Sequence, residues 1–123
     1  MEHEKLTGRI IDAAMKVHSV LGPGLLESAY EACLLFELHR RDLRAVSQVE
    51  LPIVYEGVKV NAGYRIDILV EDVVVLELKS VETISPIHQA QLLSYLKLSK
   101  KPVGLLMNFN VLHLKDGLKR MVN

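Results

Sequence analysis

The chain has 123 residues, half of them apolar and about a quarter charged, and its 15 basic and 15 acidic side chains cancel to a formal net charge of zero. That length suits one domain able to bury about two-thirds of its unfolded surface. The charge balance excludes a protein that holds nucleic acid mainly by bulk positive charge, although a local basic patch stays open. The single cysteine, Cys33, excludes an internal disulfide framework and fits a reducing cytosol. The opening Met1-Glu2-His3-Glu4-Lys5 lacks the basic-then-apolar layout of a signal peptide, and no apolar run reaches membrane-spanning length. A cytoplasmic protein with no membrane partner is expected.

Leu6, Ile10, Ala13, Ala14, Val17, Val20 and Leu21 recur at helical spacing and predict an amphipathic helix from about Glu4 to Leu21. Gly22-Pro23-Gly24 stops it. No Gly-Lys-Ser/Thr follows, so this is a helix breaker and not a phosphate loop. A second helix is predicted from about Leu25 to Arg41, with Leu26, Ala29, Cys33, Leu34 and Leu38 among its apolar positions. Glu27 and Tyr30 lie three apart and share a face. On spacing alone Glu27 reads as a first-turn acid favoured by the helix dipole, and Cys33 as core packing.

Arg40 to Arg44 form a charged link. Gln48 to Tyr55 read as a strand that Pro52 demotes toward an edge or a bulge. Glu56-Gly57 is a turn into Val58 to Gly63, which leads to the two central strands, Tyr64 to Asp67 and Val73 to Lys79. The simplest arrangement is a meander of three consecutive antiparallel strands. After the polar connection Ser80 to Ser85, Pro86 suits a first helical position. A helix from there to about Leu98 sets His88, Gln91 and Tyr95 at i, i+3 and i+7 as one polar stripe. Val103 to Phe109 is a short buried strand. Val111 to Leu114 is expected to continue the sheet, and Lys115 to Arg120 to form a basic, exposed tail. The predicted fold class is α/β, a mixed β-sheet flanked by helices in the order α-α-β-β-β-α-β, as one domain over residues 1–123.

The chemistry concentrates in the central strand pair. Val73 to Leu76 is the kind of branched apolar run found in strands covered on both faces, and it ends in Glu77-Leu78-Lys79. Strand alternation sends Glu77 and Lys79 to the same face. Charge at the rim of a core needs a cation or an opposite charge beside it. Asp67 is the lone carboxylate of the preceding strand. A two-residue turn, Glu71-Asp72, would place Asp67 opposite Leu76, on the other face from Glu77. A three-residue loop from Glu71 to Val73, or a bulge, puts both acids on one face. A shared face is the expectation.

Two converging carboxylates, with the backbone carbonyl of Leu78 between Glu77 and Lys79, are hard oxygen ligands suited to Mg²⁺ or Mn²⁺. Lys79 could hold an attacking water or stabilise charge on phosphoryl oxygens, and Gln91 and Tyr95 could position a phosphate. The reaction these residues point to is metal-assisted phosphodiester hydrolysis. A strand ending in Glu-x-Lys is more commonly a surface salt-bridge ladder. The preceding acid and the following Gln-x-x-x-Tyr helix set this chain apart. His3, His18, His39, His88 and His113 show no zinc-ligand spacing; only His88 shares the Gln91–Tyr95 face, as a supporting group.

Gly24-Leu25-Leu26-Glu27-Ser28-Ala29-Tyr30 matches the Gly-x-x-Glu-x-x-Tyr signature of the small bacterial and archaeal GxxExxY proteins. The chain resembles that family further through Gln48-Val49-Glu50-Leu51-Pro52, Tyr64-Arg65-Ile66-Asp67, Glu77-Leu78-Lys79, Gln91 to Leu96 and Leu106-Met107-Asn108-Phe109, which covers nearly its whole length. The family in turn is similar to minimal members of the PD-(D/E)XK, or restriction-endonuclease-like, nuclease superfamily. The resemblance implies a core sheet flanked by helices, with Asp67, Glu77 and Lys79 as the active-site set. It also implies that Glu27 joins the metal site, with Gln91, Tyr95 and the signature's Tyr30 in support, and that nucleic acid is the partner. From these residues neither the DNA-binding domain nor the basic surface that superfamily nucleases usually add is expected. Neutral charge favours the alternative of a non-cutting or partner-dependent binding module on the same fold. Hydrolysis of a small phosphorylated compound fits the same residues. An exposed edge strand at Pro52, or the apolar C-terminal segment, offers a homodimer interface that would help so small a domain span a duplex.

Overall fold

The computed structural model describes residues 3–123, so the signal-peptide reading rests partly on Met1 and Glu2, outside the described residues. Helices α1 (Glu4–Leu21) and α2 (Glu27–Arg40) form where the apolar period places them. Ile10, Ala13, Ala14 and Val17 line the buried stripe of α1, while Val20 and Leu26 face outward. Gly22 ends α1 at φ 69°, its amide donating to the His18 carbonyl. Only glycine takes that conformation without a Cβ penalty.

Among the described residues the strands are β1 (Ala45–Glu50), β2 (Ile53–Tyr55), β3 (Val58–Val60), β4 (Arg65–Val70), β5 (Val74–Lys79), β6 (Val103–Asn108) and β7 (Leu118–Val122). Five of them form one sheet in the order β1-β4-β5-β6-β7, antiparallel except between β5 and β6. A parallel pair needs a long crossover, and α3 (Pro86–Ser99) supplies it. β5 and β6 are the covered central strands, as their apolar runs require. Val74, Leu76 and Leu78 pack with Ile10, Tyr30, Leu34 and Leu38 of α1 and α2. Val75 and Leu106 pack on the other face with Leu92, Tyr95 and Leu96 of α3. By strand alternation Glu77 and Lys79 therefore face α3. Gly104 lets α3 sit close, because a Cβ there would come within 2.8 Å of Leu92.

The mixed α/β class holds, and several local expectations are corrected. The strand from Gln48 to Tyr55 is two strands: Leu51-Pro52 breaks it, and β2 pairs only with β3, in a separate two-stranded sheet. The meander therefore fails, since β1 pairs directly with β4 and the β2–β3 hairpin is an excursion between them. Pro52 lies in that break, not on an edge strand. Residues 110–113 are irregular, and the expected tail instead contains a 3₁₀ turn (Leu114–Gly117) and β7, which pairs with β6. Lys119 and Arg120 are exposed on that strand. Among the described residues, no helix is long and apolar enough to cross a membrane.

Candidate active site

β4 and β5 are joined by Glu71-Asp72-Val73, three residues, with Glu71 and Asp72 in the left-handed region at φ 52° and 57°. Arg44 pins this loop with both of its backbone groups: its carbonyl accepts from the Glu71 amide at 2.8 Å, and its amide donates to the Glu71 carboxylate at 2.5 Å. The register pairs Ile68 with Leu76, Leu69 with Val75 and Val70 with Val74. Carried one step further, it sets Asp67 opposite Glu77. The shared face expected from an odd loop is what the hairpin builds.

Past Ile68 and Leu76 the carboxylates enter the hydrogen bonding of the strands. The Asp67 amide donates to Glu77 Oε1 at 3.3 Å, and the Leu78 amide donates to Asp67 Oδ2 at 2.8 Å. Each acid thus spends one oxygen on a backbone N–H. In extended backbone the N–H and C=O of one residue point to the same side, so the Leu78 carbonyl also points toward Asp67. Glu77 is only 4 % exposed. Burial first, and then the Asp67 charge, push its carboxyl up to about 8. Asp67 is also raised, chiefly by burial, against the lowering effect of the Leu78 amide and of the Lys79 charge.

Lys79 Nζ donates to Gln91 Oε1 at 3.2 Å, and Gln91 Nε2 donates to the Tyr95 hydroxyl at 3.2 Å. The stripe on α3 therefore holds the lysine through one amide whose two ends have different partners. Glu27 is the first helical residue of α2. Although exposed, it reaches the end of β5, where its Oε2 accepts from the Ser80 amide at 3.4 Å. Ser80 Oγ also donates to the Leu25 carbonyl at 2.6 Å. The charge of Glu27 acts on both Asp67 and Glu77.

Two expected supporting residues do other work. The Tyr30 ring is buried and stacks on Phe109 with centroids 4.6 Å apart. Its hydroxyl donates to the Gly22 carbonyl at 2.6 Å and accepts from the Leu25 amide at 3.1 Å. It fixes the loop that presents Glu27. His88 Nδ1 accepts from the Ser85 amide at 3.0 Å, which caps the start of α3. His18 and His39 are satisfied by the carbonyls of Val111 and Ala45.

Gln48, Glu31 and Asn108 also belong to the site's surroundings; Gln48 and Asn108 stand in motifs that carry the family resemblance but with no role attached, and Glu31 stands in none. Gln48 lies between the pairs Ser47–Ile68 and Val49–Ile66, opposite Asp67, at φ 54°. Its Nε2 donates to both oxygens of Glu31 on α2, at 2.9 and 3.1 Å, and its side chain also stabilises the Asp67 carboxylate. Glu31 is itself raised, by burial and then by the Asp67 charge. Asn108 is buried at the end of β6, where Oδ1 accepts from the Val81 amide at 3.1 Å and Nδ2 donates to the Val81 carbonyl at 2.9 Å. It straps down the chain that leaves Lys79. A Gln in an edge strand, or an Asn after an apolar strand, carries no local signal of such roles.

The donor set fits a hard divalent cation: it is all oxygen, and its like charges are packed where only a cation or a proton relieves them. Among the described residues no three of His, Cys, Asp and Glu are grouped so as to hold a metal ion, so the carboxylate pair is the part of the site open to one.

A mixed sheet flanked by helices, with two acids and a lysine gathered at the ends of its central hairpin, is a restriction-endonuclease-like arrangement. The chain matches the PD-(D/E)XK nuclease superfamily over residues 4–121 and belongs to it. Nucleases of that superfamily generally use divalent metals. No curated protein and no solved structure matches the chain.

Proposed function

We propose that the protein is a metal-dependent phosphodiesterase acting on nucleic acid, a nuclease of the GxxExxY kind. One observation carries this reading: Asp67 and Glu77 face each other across a hairpin, with Lys79 on the same face and held by Gln91. Asp67, Glu77 and the Leu78 carbonyl would hold the ion, and Glu27 would act on it from α2 through its charge, which reaches both acids. When bound, Mg²⁺ or Mn²⁺ would polarise a phosphoryl oxygen and lower the pKa of a bound water. Lys79 supplies a positive charge two residues beyond Glu77, suited to orienting the attacking water or to offsetting charge on the phosphoryl oxygens. Gln91 keeps that ammonium aimed, and Tyr95 keeps Gln91 from rotating its amide.

A second reading, a binding module that does not cut, is favoured by the zero net charge of the chain. Cleavage of labelled single-stranded DNA, duplex DNA and RNA in Mg²⁺ or Mn²⁺ separates the two. Asp67→Asn and Lys79→Ala are expected to lower the rate by roughly a hundredfold or more, and chelator to abolish it. If wild type and both variants are equally inert on every nucleic acid, the nuclease reading falls and the binding module stands. Release of phosphate from nucleotides alone would move the reading to a small-molecule hydrolase.

A further inference from the structure

An open groove of about 680 Å³ begins at Lys79 and is lined by α3 together with Ile53 and Tyr64. Lys79, Gln91 and Tyr95 form its polar end. The remainder is mostly apolar, with Ile87 and Leu98 contributed by α3. Tyr64 is 43 % exposed, and its ring meets Tyr95 edge-on at 6.1 Å. Its carbonyl accepts from the Leu51 amide at 2.9 Å, which fixes the backbone that carries the ring.

We propose that this groove takes an unpaired base of a single-stranded nucleic acid, stacked on Tyr64, with the adjoining phosphate at Lys79. The position of that phosphate rests on the nuclease reading; the groove adds the substrate class. A chain with no net charge offers a strand no bulk positive field, which gives weight to sources of affinity other than phosphate contacts. Stacking on an aromatic ring is the sequence-tolerant source. The volume lies within the range of sites that enclose a small organic group. A base inside a duplex is stacked on both sides and must be extruded before it can enter such a groove, whereas an unpaired base avoids most of that cost. The polar end then matches the charge of the backbone next to the base, and the apolar walls match the base.

Fluorescence anisotropy tests this with the whole chain, a short labelled single strand and the same sequence as a duplex, with Ca²⁺ replacing Mg²⁺. Wild type is expected to bind the single strand more tightly than the duplex. Tyr64→Ala should weaken single-strand binding about tenfold, while Tyr64→Phe keeps the ring and stays near wild type. Ser94→Glu, at an exposed position of α3 on the groove, places a carboxylate beside the strand and should weaken it similarly. Equal binding of the duplex, no binding at all, or single-strand binding unmoved by Tyr64→Ala would overturn the proposal. Cleavage in Mg²⁺ is read separately. Tyr64-dependent binding without cleavage sinks the nuclease reading and keeps the groove. Cleavage without Tyr64 dependence does the reverse.

Discussion

At the scale of single residues, Glu77 carries the largest electrostatic strain. Its carboxyl titrates near 4.5 when free and near 8 in the fold, because it is buried and because Asp67 repels its charge. The folded state therefore binds a proton that the unfolded state has already released between those two values. Stability contributed by this group is full below about pH 4.5 and is lost as pH rises toward 8. At about 1.4 kcal/mol per unit, the loss is on the order of a few kcal/mol. Urea unfolding in chelator at pH 5 and pH 8 should show it in wild type, and Glu77→Gln should flatten it. An undiminished slope in the variant would remove Glu77 as the cause. Saturating Mg²⁺ should restore stability at pH 8, because a ligand that binds only the native state stabilises it by mass action. The shared face of Glu77 and Lys79 was legible in sequence because alternation is a local rule, whereas Asp67 joined them only by an expectation about loop length that the hairpin register bears out. Gln48 and Glu31 were not legible. Their meeting depends on a left-handed glutamine and on where α2 docks, and neither leaves a periodic trace.

At the scale of elements, the helices were legible because their apolar period is long and their breaks are Gly and Pro. The β1–β2 division was blurred because the alternating Gln48 to Leu51 runs into the apolar Ile53-Val54-Tyr55, with Pro52 alone marking the break. β7 was missed for a different reason. Lys119 and Arg120 are consecutive charges on an edge strand, and alternation disappears where one face packs weakly. Packing against its neighbour nonetheless constrains that region: a Cβ on Gly117 would lie 2.3 Å from the Asn108 carbonyl oxygen. Gly117→Ala is expected to destabilise the protein by about 1–3 kcal/mol and to loosen the Asn108 strap behind Lys79. Gly8→Ala is the contrasting case. It lies in α1 with nothing within 4 Å of its added Cβ, and should gain about 0.5–1 kcal/mol. Urea midpoints of the two variants should therefore move in opposite directions. A shift of the same sign would mean that the 3₁₀ turn yields more easily than its geometry allows.

At the scale of the whole molecule, zero net charge governs how any nucleic acid is held. Counterion release makes affinity fall with salt in proportion to the phosphates neutralised. Few contacts are expected here, so the slope of log affinity against log salt for a single strand should be shallow, about −1 to −2. A steep slope would reveal a basic track that the composition hides. The two acids that accept backbone amides carry a consequence for descent. Along a diverging lineage, trimming either acid to an alanine would, on the proposed function, take away the chemistry, and it would also orphan an N–H in the sheet. Changing it to its amide would silence that chemistry and leave an oxygen for the N–H. Inactive descendants of this fold should therefore bear asparagine or glutamine at the positions of Asp67 and Glu77, fossils that still pair with the strands they once served.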